Sequence, residues 1–209
     1  MTRRTMTLIV ADATIHTSPG QTRRGDLQAS GAVIGGQEVP ADQSMLIEAA
    51  GCSVVPLLVD TVFETASPPA AESFDLMAGH PATFAVIRGT ADTSAIRNML
   101  VVSPRDLVAV VVHGELVVRQ GQPVRPAGID GLSAGDARLG AWTDPRRDMT
   151  QYLTADGRYS ETRSGRRNAY TGRFWLDEDR ITYLDDTGFW AFGQYHDGTL
   201  HHAGFVLQK

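Results

Sequence analysis

The chain has 209 residues, 42% of them hydrophobic and 21% charged, and a formal charge of -5. That length suits one large domain or two small ones, and the acidic balance gives no electrostatic footprint for nucleic acid. The single cysteine, Cys52, allows no internal disulfide and sits in an apolar run, which suits a buried bystander in a reducing cytoplasm better than a nucleophile.

No window approaches a membrane span, and Met6 to Val10, behind Arg3 and Arg4, is too short for a signal-peptide core. Residues 5 to 15 predict a strand rich in β-branched side chains, and Ser18-Pro19-Gly20 a turn. Gly25 to Ile34 predicts a strand or hairpin ended by Gly35-Gly36, and Met45 to Ala49 and Ser53 to Val59 two short strands. Ser67-Pro68-Pro69-Ala70-Ala71 suits a linker or tight crossing. Pro81 to Arg88, Leu107 to Val112 and Glu115 to Arg119 predict further strands, the last two joined by a hairpin turn at His113-Gly114, with a turn at Gln120-Gly121-Gln122-Pro123. Nothing here has a helical period, and the spacing of proline and glycine suits a β-sandwich. The Gly- and Ala-rich residues 126 to 139 are expected to connect two domains, 1–125 and 140–209.

The last third carries all three Trp, all five Tyr and four of the seven Phe. Asp156-Gly157 predicts a hairpin turn, and Ala169 to Trp175 alternates with Tyr170, Gly172 and Phe174 on one face. After a turn at Leu176 to Asp179, Arg180 to Asp185 aligns Ile181, Tyr183 and Asp185; Asp186-Thr187-Gly188 turns, Phe189 to Tyr195 is a strand, Asp197-Gly198 turns and Thr199 to Leu207 closes. Turn signals every 8 to 12 residues describe a meander able to close into a barrel. Concentrated aromatic area implies a pocket as well as a core.

Two resemblances follow from these residues. Pro56-Leu57-Leu58-Val59-Asp60-Thr61, Gly79 to Ile87, and Arg105 to Val124 with its closing hairpin resemble the composite β-sandwich domain of amidohydrolases over residues 6 to 125. That family places two metal-binding His just after the Asp-Thr pair; Val62 and Glu64 stand there, and only about a dozen residues separate Thr61 from Phe74. The resemblance therefore implies the sandwich alone, without catalytic barrel or metal. Gly140-Ala141-Trp142, Tyr170 to Phe174, Asp185 to Phe189 and Leu200 to Gly204 resemble a small bacterial family of streptavidin- and lipocalin-like barrels, which implies a fold and no chemistry. The expected fold is all-β, a sandwich followed by a small antiparallel barrel. A sandwich stripped of its partner exposes an apolar face, so the barrel or a second copy of the chain, in a homodimer, is expected to cover it.

Asp185 and Asp186 are candidates for acid–base work, but strand neighbours point to opposite sides. Asp186 is expected to cap the turn, leaving Asp185, which shares a face with Tyr183, as the candidate. His202, in register with Leu200 and Gly204, is placed towards the barrel interior as acid, base or hydrogen-bonded core histidine; His201 diverges from it, and no Cys or acidic cluster stands at metal spacing. Tyr170 and Tyr183 complete the candidate catalytic set, with Trp142, Phe174, Trp175, Phe189, Trp190 and Tyr195 as the substrate-binding wall; the alternative for Tyr and Trp is core packing. Arg163, Arg166 and Arg167 around Ser164-Gly165 suit an exposed turn of solvated charge. No phosphate loop, dinucleotide fingerprint, Gly-x-Ser-x-Gly or paired CxxC occurs. The expectation is an enzyme without metal or cofactor, of cyclase, isomerase or dehydratase type, acting on a small apolar metabolite; the alternatives are a non-catalytic carrier and a structural adaptor.

Overall fold

The computed structural model describes residues 7–18, 21–35, 44–57, 76–91, 101–127 and 135–209. The predicted features at Pro19-Gly20, Val59 to Thr61, Val62, Glu64, Ser67 to Ala71 and Phe74 lie outside the described residues. The described residues are all-β, and none forms a helix long and apolar enough to cross a membrane. Contacts divide the chain into two units. The first comprises Met1–Leu58, Ala66–Arg97 and Pro104–Val124, and the second comprises Val59–Thr65, Asn98–Ser103 and Arg125–Lys209.

The first unit holds β1 (Thr7–Ser18), β2 (Gln21–Ser30), β3 (Val33–Ile34), β4 (Ser44–Glu48), β5 (Cys52–Pro56), β6 (Phe84–Arg88), β7 (Leu107–Val112), β8 (Glu115–Arg119) and β9 (Gln122–Pro123). They form one continuous sheet ordered β3-β2-β1-β5-β6-β7-β8-β9, with β4 also on β1. β1 makes this possible by changing partner. Its first half lies parallel to β4 (Thr7↔Ser44) and its second half parallel to β5 (Thr14↔Ser53), with a bulge against β2 between Val10 and Ala13 where Asp12 takes φ 53°. A bulge of this kind bends the strand and turns the sheet. Every residue of β5 and β7 is buried, and since strand side chains alternate, both faces are covered. The core includes Val10, Ile15, Leu27, Val54, Phe84 and Val111, with Cys52 buried among them.

The sheet curls far enough for its β2–β3 turn to meet its β7–β8 turn. Ala82 N donates to Ala32 O at 2.8 Å and Gly114 N to Ala82 O at 2.8 Å. Gly114, at φ 78°, permits this approach, because a Cβ there would stand 1.7 Å from Gly31 O.

The second unit holds β10 (Gly140–Asp144), β11 (Met149–Leu153), β12 (Arg158–Arg163), β13 (Arg166–Asp177), β14 (Arg180–Asp185), β15 (Trp190–His196), β16 (Thr199–His202) and β17 (Phe205–Leu207). Each pairs antiparallel with the next, and β10 meets β17 where Thr143 N donates to Gln208 O at 2.7 Å and Gln208 N to Thr143 O at 2.9 Å. This is a nearly closed eight-stranded up-and-down barrel. Several sequence boundaries move, two of them with a change of element. The predicted turn at Leu176 is strand to Asp177, and the single closing strand Thr199 to Leu207 is two strands around Ala203-Gly204. Ala203 (φ 49°) and Gly204 (φ 77°) make the same two-residue turn as His113-Gly114, Ser164-Gly165 and Asp197-Gly198, each with both residues at positive φ.

The expected connection at 126–139 is also shorter than predicted. Residues 128–134 lie outside the described residues, but 135–139 already belong to the barrel: Asp136 grips Arg138 (Oδ2 to Nη2 2.6 Å), and Arg138 O accepts from Trp142 Nε1 at 2.8 Å. Val102 pairs with Trp190 through two 2.9 Å backbone bonds, so an excursion of the chain at 101–103 extends the same unit.

Candidate functional site

An eight-stranded barrel is just wide enough for its own side chains, and most of this one is filled. Trp142, Met149, Leu153, Tyr159, Phe174, Ile181, Tyr183, Leu200 and Leu207 form the core. The aromatic wall expected from the sequence is therefore largely packing. Phe174 is wholly buried in that core. Trp142 stacks on Tyr195 with ring centres 5.4 Å apart, and both reach Arg138 O, the Tyr195 hydroxyl at 3.4 Å. On the other face of the strands Trp175 packs on Trp190 with ring centres 5.5 Å apart and donates to Pro126 O at 2.9 Å.

What the core leaves is a cavity of about 130 Å³ at one barrel end. Its lining comes from the length of β12 (Tyr159, Glu161, Arg163), the first half of β13 (Tyr170), the end of β14 (Asp185), Phe189 and Ala191, His202 with Ala203, and Val101. Four sequence candidates thus meet here: Asp185, His202, Tyr170 and Phe189. Tyr183 stands just beneath them, its ring centre 4.3 Å from that of His202 and 5.1 Å from that of Tyr159. Trp142, Phe174, Trp175, Trp190 and Tyr195 lie outside the lining.

Glycine makes the room. Gly172 sits between Tyr159 on β12 and Asp185 on β14, and a Cβ there would stand 2.2 Å from Leu184 O and 2.7 Å from the Tyr159 ring.

The carboxylate at the centre is Glu161, which the sequence reading passed over. After the Asp156-Gly157 turn, alternation puts Tyr159, Glu161 and Arg163 on the inward face, and an acidic residue at an inward position was the available signal. Glu161 is 1% exposed and satisfied from several directions. Oε1 accepts from Gln151 Nε2 at 2.9 Å and faces His202 Nε2 at 3.1 Å; Oε2 lies 2.7 Å from both Nε and Nη2 of Arg163. The Tyr183 hydroxyl donates to Gln151 Oε1 at 2.8 Å, extending the chain to a fourth strand. Burial pushes the Glu161 carboxyl up, but His202, Arg163 and Gln151 together outweigh it and hold the group below its ordinary value. Burial, helped by nearby Glu161, keeps Tyr183 and Tyr159 as phenols far above the usual range.

Arg163 is therefore no solvated charge. Its guanidinium lies between two rings, 4.6 Å from the centre of Tyr170 and 4.9 Å from that of Phe205, while it holds Glu161. A carboxylate only accepts, so the ring proton of neutral His202 belongs on Nε2 and the lone pair on Nδ1. That Nδ1 is buried and has no hydrogen-bond partner among the described residues.

The turn cap expected of Asp186 is made by Asp185 instead, whose Oδ1 accepts from Thr187 N at 2.9 Å, Thr187 Oγ1 at 2.7 Å and Phe189 N at 2.9 Å. Asp186 points away, to Arg158 at 2.7 and 2.9 Å and Thr171 at 2.6 Å, which hold it down at about 2. Among the described residues no three of His, Cys, Asp and Glu converge on a possible metal position.

His201 points the other way from His202, is 2% exposed, and is pushed down to about 4 by burial and then by His196. Below pH 6.5 the unfolded chain takes up a proton that folded His201 refuses, so stability is full above 6.5 and declines towards pH 4 at no more than about 1.4 kcal/mol per pH unit. Asp186 contributes in a separate window, below about pH 4. All three Trp lie in the barrel, so urea unfolding followed by Trp fluorescence reads this unit. His201→Gln is expected to flatten the decline between pH 6.5 and 4.5, and an unchanged slope would refute the assignment.

Residues 135–209 match the model of a family described as Agrobacterium tumefaciens protein Atu4866. The solution structure of the protein Atu4866 from Agrobacterium tumefaciens is 38% identical to this chain over a match that covers 34% of this chain and 90% of that one, with a TM-score of 0.31. The family match is confined to residues 135–209, the part of the chain that carries the barrel. Comparison with curated proteins gives no match.

Proposed function

We propose that the barrel end is the active site of an enzyme needing neither metal nor cofactor, one that moves a proton on a small, mostly apolar substrate, as isomerases, cyclases and dehydratases do. The observation that carries this reading is His202: Nε2 engaged by a buried carboxylate, Nδ1 without a partner, at the wall of a cavity. A carboxylate behind an imidazole fixes its tautomer and stabilises the ring when it takes a proton. Glu161 is the positioning residue, His202 the acid–base group, and Tyr170 and Phe189 hold the substrate. Nδ1 is shielded from bulk water, so contact with a substrate requires a small rotation of the ring. A reducing cytoplasm suits the buried thiol of Cys52.

A second reading, a non-catalytic carrier, draws on Asp185: with its Oδ1 committed to the turn, His202 is the main proton-handling group at the cavity. One experiment separates the two. Small ring ketones are incubated with the protein in D2O, with binding followed by ligand-observed NMR and deuterium entry at the acidic C–H by mass. The enzyme reading expects exchange in the wild type that falls at least about 100-fold in His202→Gln while binding persists. Binding without exchange in the wild type supports the carrier instead.

A further inference from the structure

Resting on the reading of this cavity as a small-molecule site, we infer that its ligand is a neutral six-membered ring carrying a hydroxyl group, a phenol or the enol it resembles. Size comes first. About 130 Å³ is close to the roughly 150 Å³ of an apolar protein cavity that accepts benzene, so one ring fits and a fused system must extend outward. The surround favours a flat apolar body. Tyr159, Ala191 and Ala203 line the cavity, and Val101, Tyr170 and Phe189 at its opening are 62%, 44% and 43% exposed, an apolar rim ready to be covered.

Charge decides the polar end. The lining carries two carboxylates, Glu161 and Asp185, and one guanidinium, and Arg163 is already paired with Glu161 and held between two rings. An anionic ligand would meet surplus negative charge and find no free cation among the described lining residues. Among the described residues the unmet group is His202 Nδ1, an acceptor when the neutral ring carries its proton on Nε2, and its complement is then an O–H. Once the imidazole rotates to bring Nδ1 to the cavity, a hydroxyl at the ligand ring's inner edge satisfies it while Glu161 still receives the Nε2–H. A site built to bond a hydroxyl discriminates against the same ring without it, because its own buried group is then left unpaired.

The test uses the full chain, labelled with 15N, titrated with phenol, anisole, toluene and benzoate while the amides of Ala191, His202 and Ala203 are followed. Phenol is expected to bind at least about tenfold tighter than anisole or toluene, and benzoate not to saturate. In His202→Phe, checked for folding by its amide spectrum, and in the milder His202→Gln, the preference for phenol over anisole is expected to shrink. Equal affinity for phenol and anisole, or tighter binding of benzoate, would overturn the ligand class and leave the cavity as a binding site. Failure of every ring compound to bind would overturn both.

Discussion

Replacing Glu161 by Ala is expected to lower the unfolding free energy of the barrel by about 3–5 kcal/mol. The size follows from what is left behind. Arg163, Gln151 and His202 all direct donors at this one carboxylate, and three of its contacts lie at 2.7–2.9 Å. Removing the shared acceptor strands a guanidinium between two rings and leaves two buried donors unmet, each costing about 1–3 kcal/mol. Glu161→Gln keeps the shape and one acceptor oxygen and should cost clearly less, roughly 1–3 kcal/mol. Urea unfolding read by Trp fluorescence measures both. A loss below about 1 kcal/mol in Glu161→Ala would mean that the network is ornamental to the fold.

Gly172→Ala should be as damaging, for a steric reason. The new methyl would overlap Leu184 O at 2.2 Å and crowd Asp185 Cα and the Tyr159 ring at 2.7 Å. Two of the three are backbone in a paired strand, where no side-chain rotation relieves the clash; a cost of about 3 kcal/mol or more is expected. Any relief must come from Tyr159, whose ring lines the cavity, so ligand affinity should fall with stability. Gly165→Ala is the control. It has open space around it and pays only for φ 74°, about 1–2 kcal/mol. Equal stability losses in the two variants would argue against close packing at the cavity floor.

The strands were legible where turn chemistry and side-chain pattern agreed. Leu107–Val112 and Glu115–Arg119, hinged on His113-Gly114, and Arg180–Asp185, ended by a turn, stand where the sequence put them. Ala203-Gly204 escaped because alanine carries no turn signal, although here it takes the same positive φ as His113, Ser164 and Asp197. Which of two adjacent aspartates caps a turn depends on the last strand residue, so a shift of one position moved the cap from Asp186 to Asp185. The aromatic concentration was visible, but whether rings fill a space or surround one depends on barrel width, which periodicity does not encode. His202 was found because its inward register with Leu200 could be counted. Glu161 obeyed the same rule, but a charged residue between Ser160 and Thr162 reads as surface.

The proposed site requires a proton held between His202 and Glu161 on Nε2, leaving Nδ1 bare. A long-range proton–nitrogen correlation spectrum of the imidazole of His202, assigned by comparison with His202→Gln, reports this tautomer directly. Hydrogen on Nε2 and a bare Nδ1 that shifts when phenol is added are the expected result. A ring proton on Nδ1, unmoved by any ring compound, would contradict it.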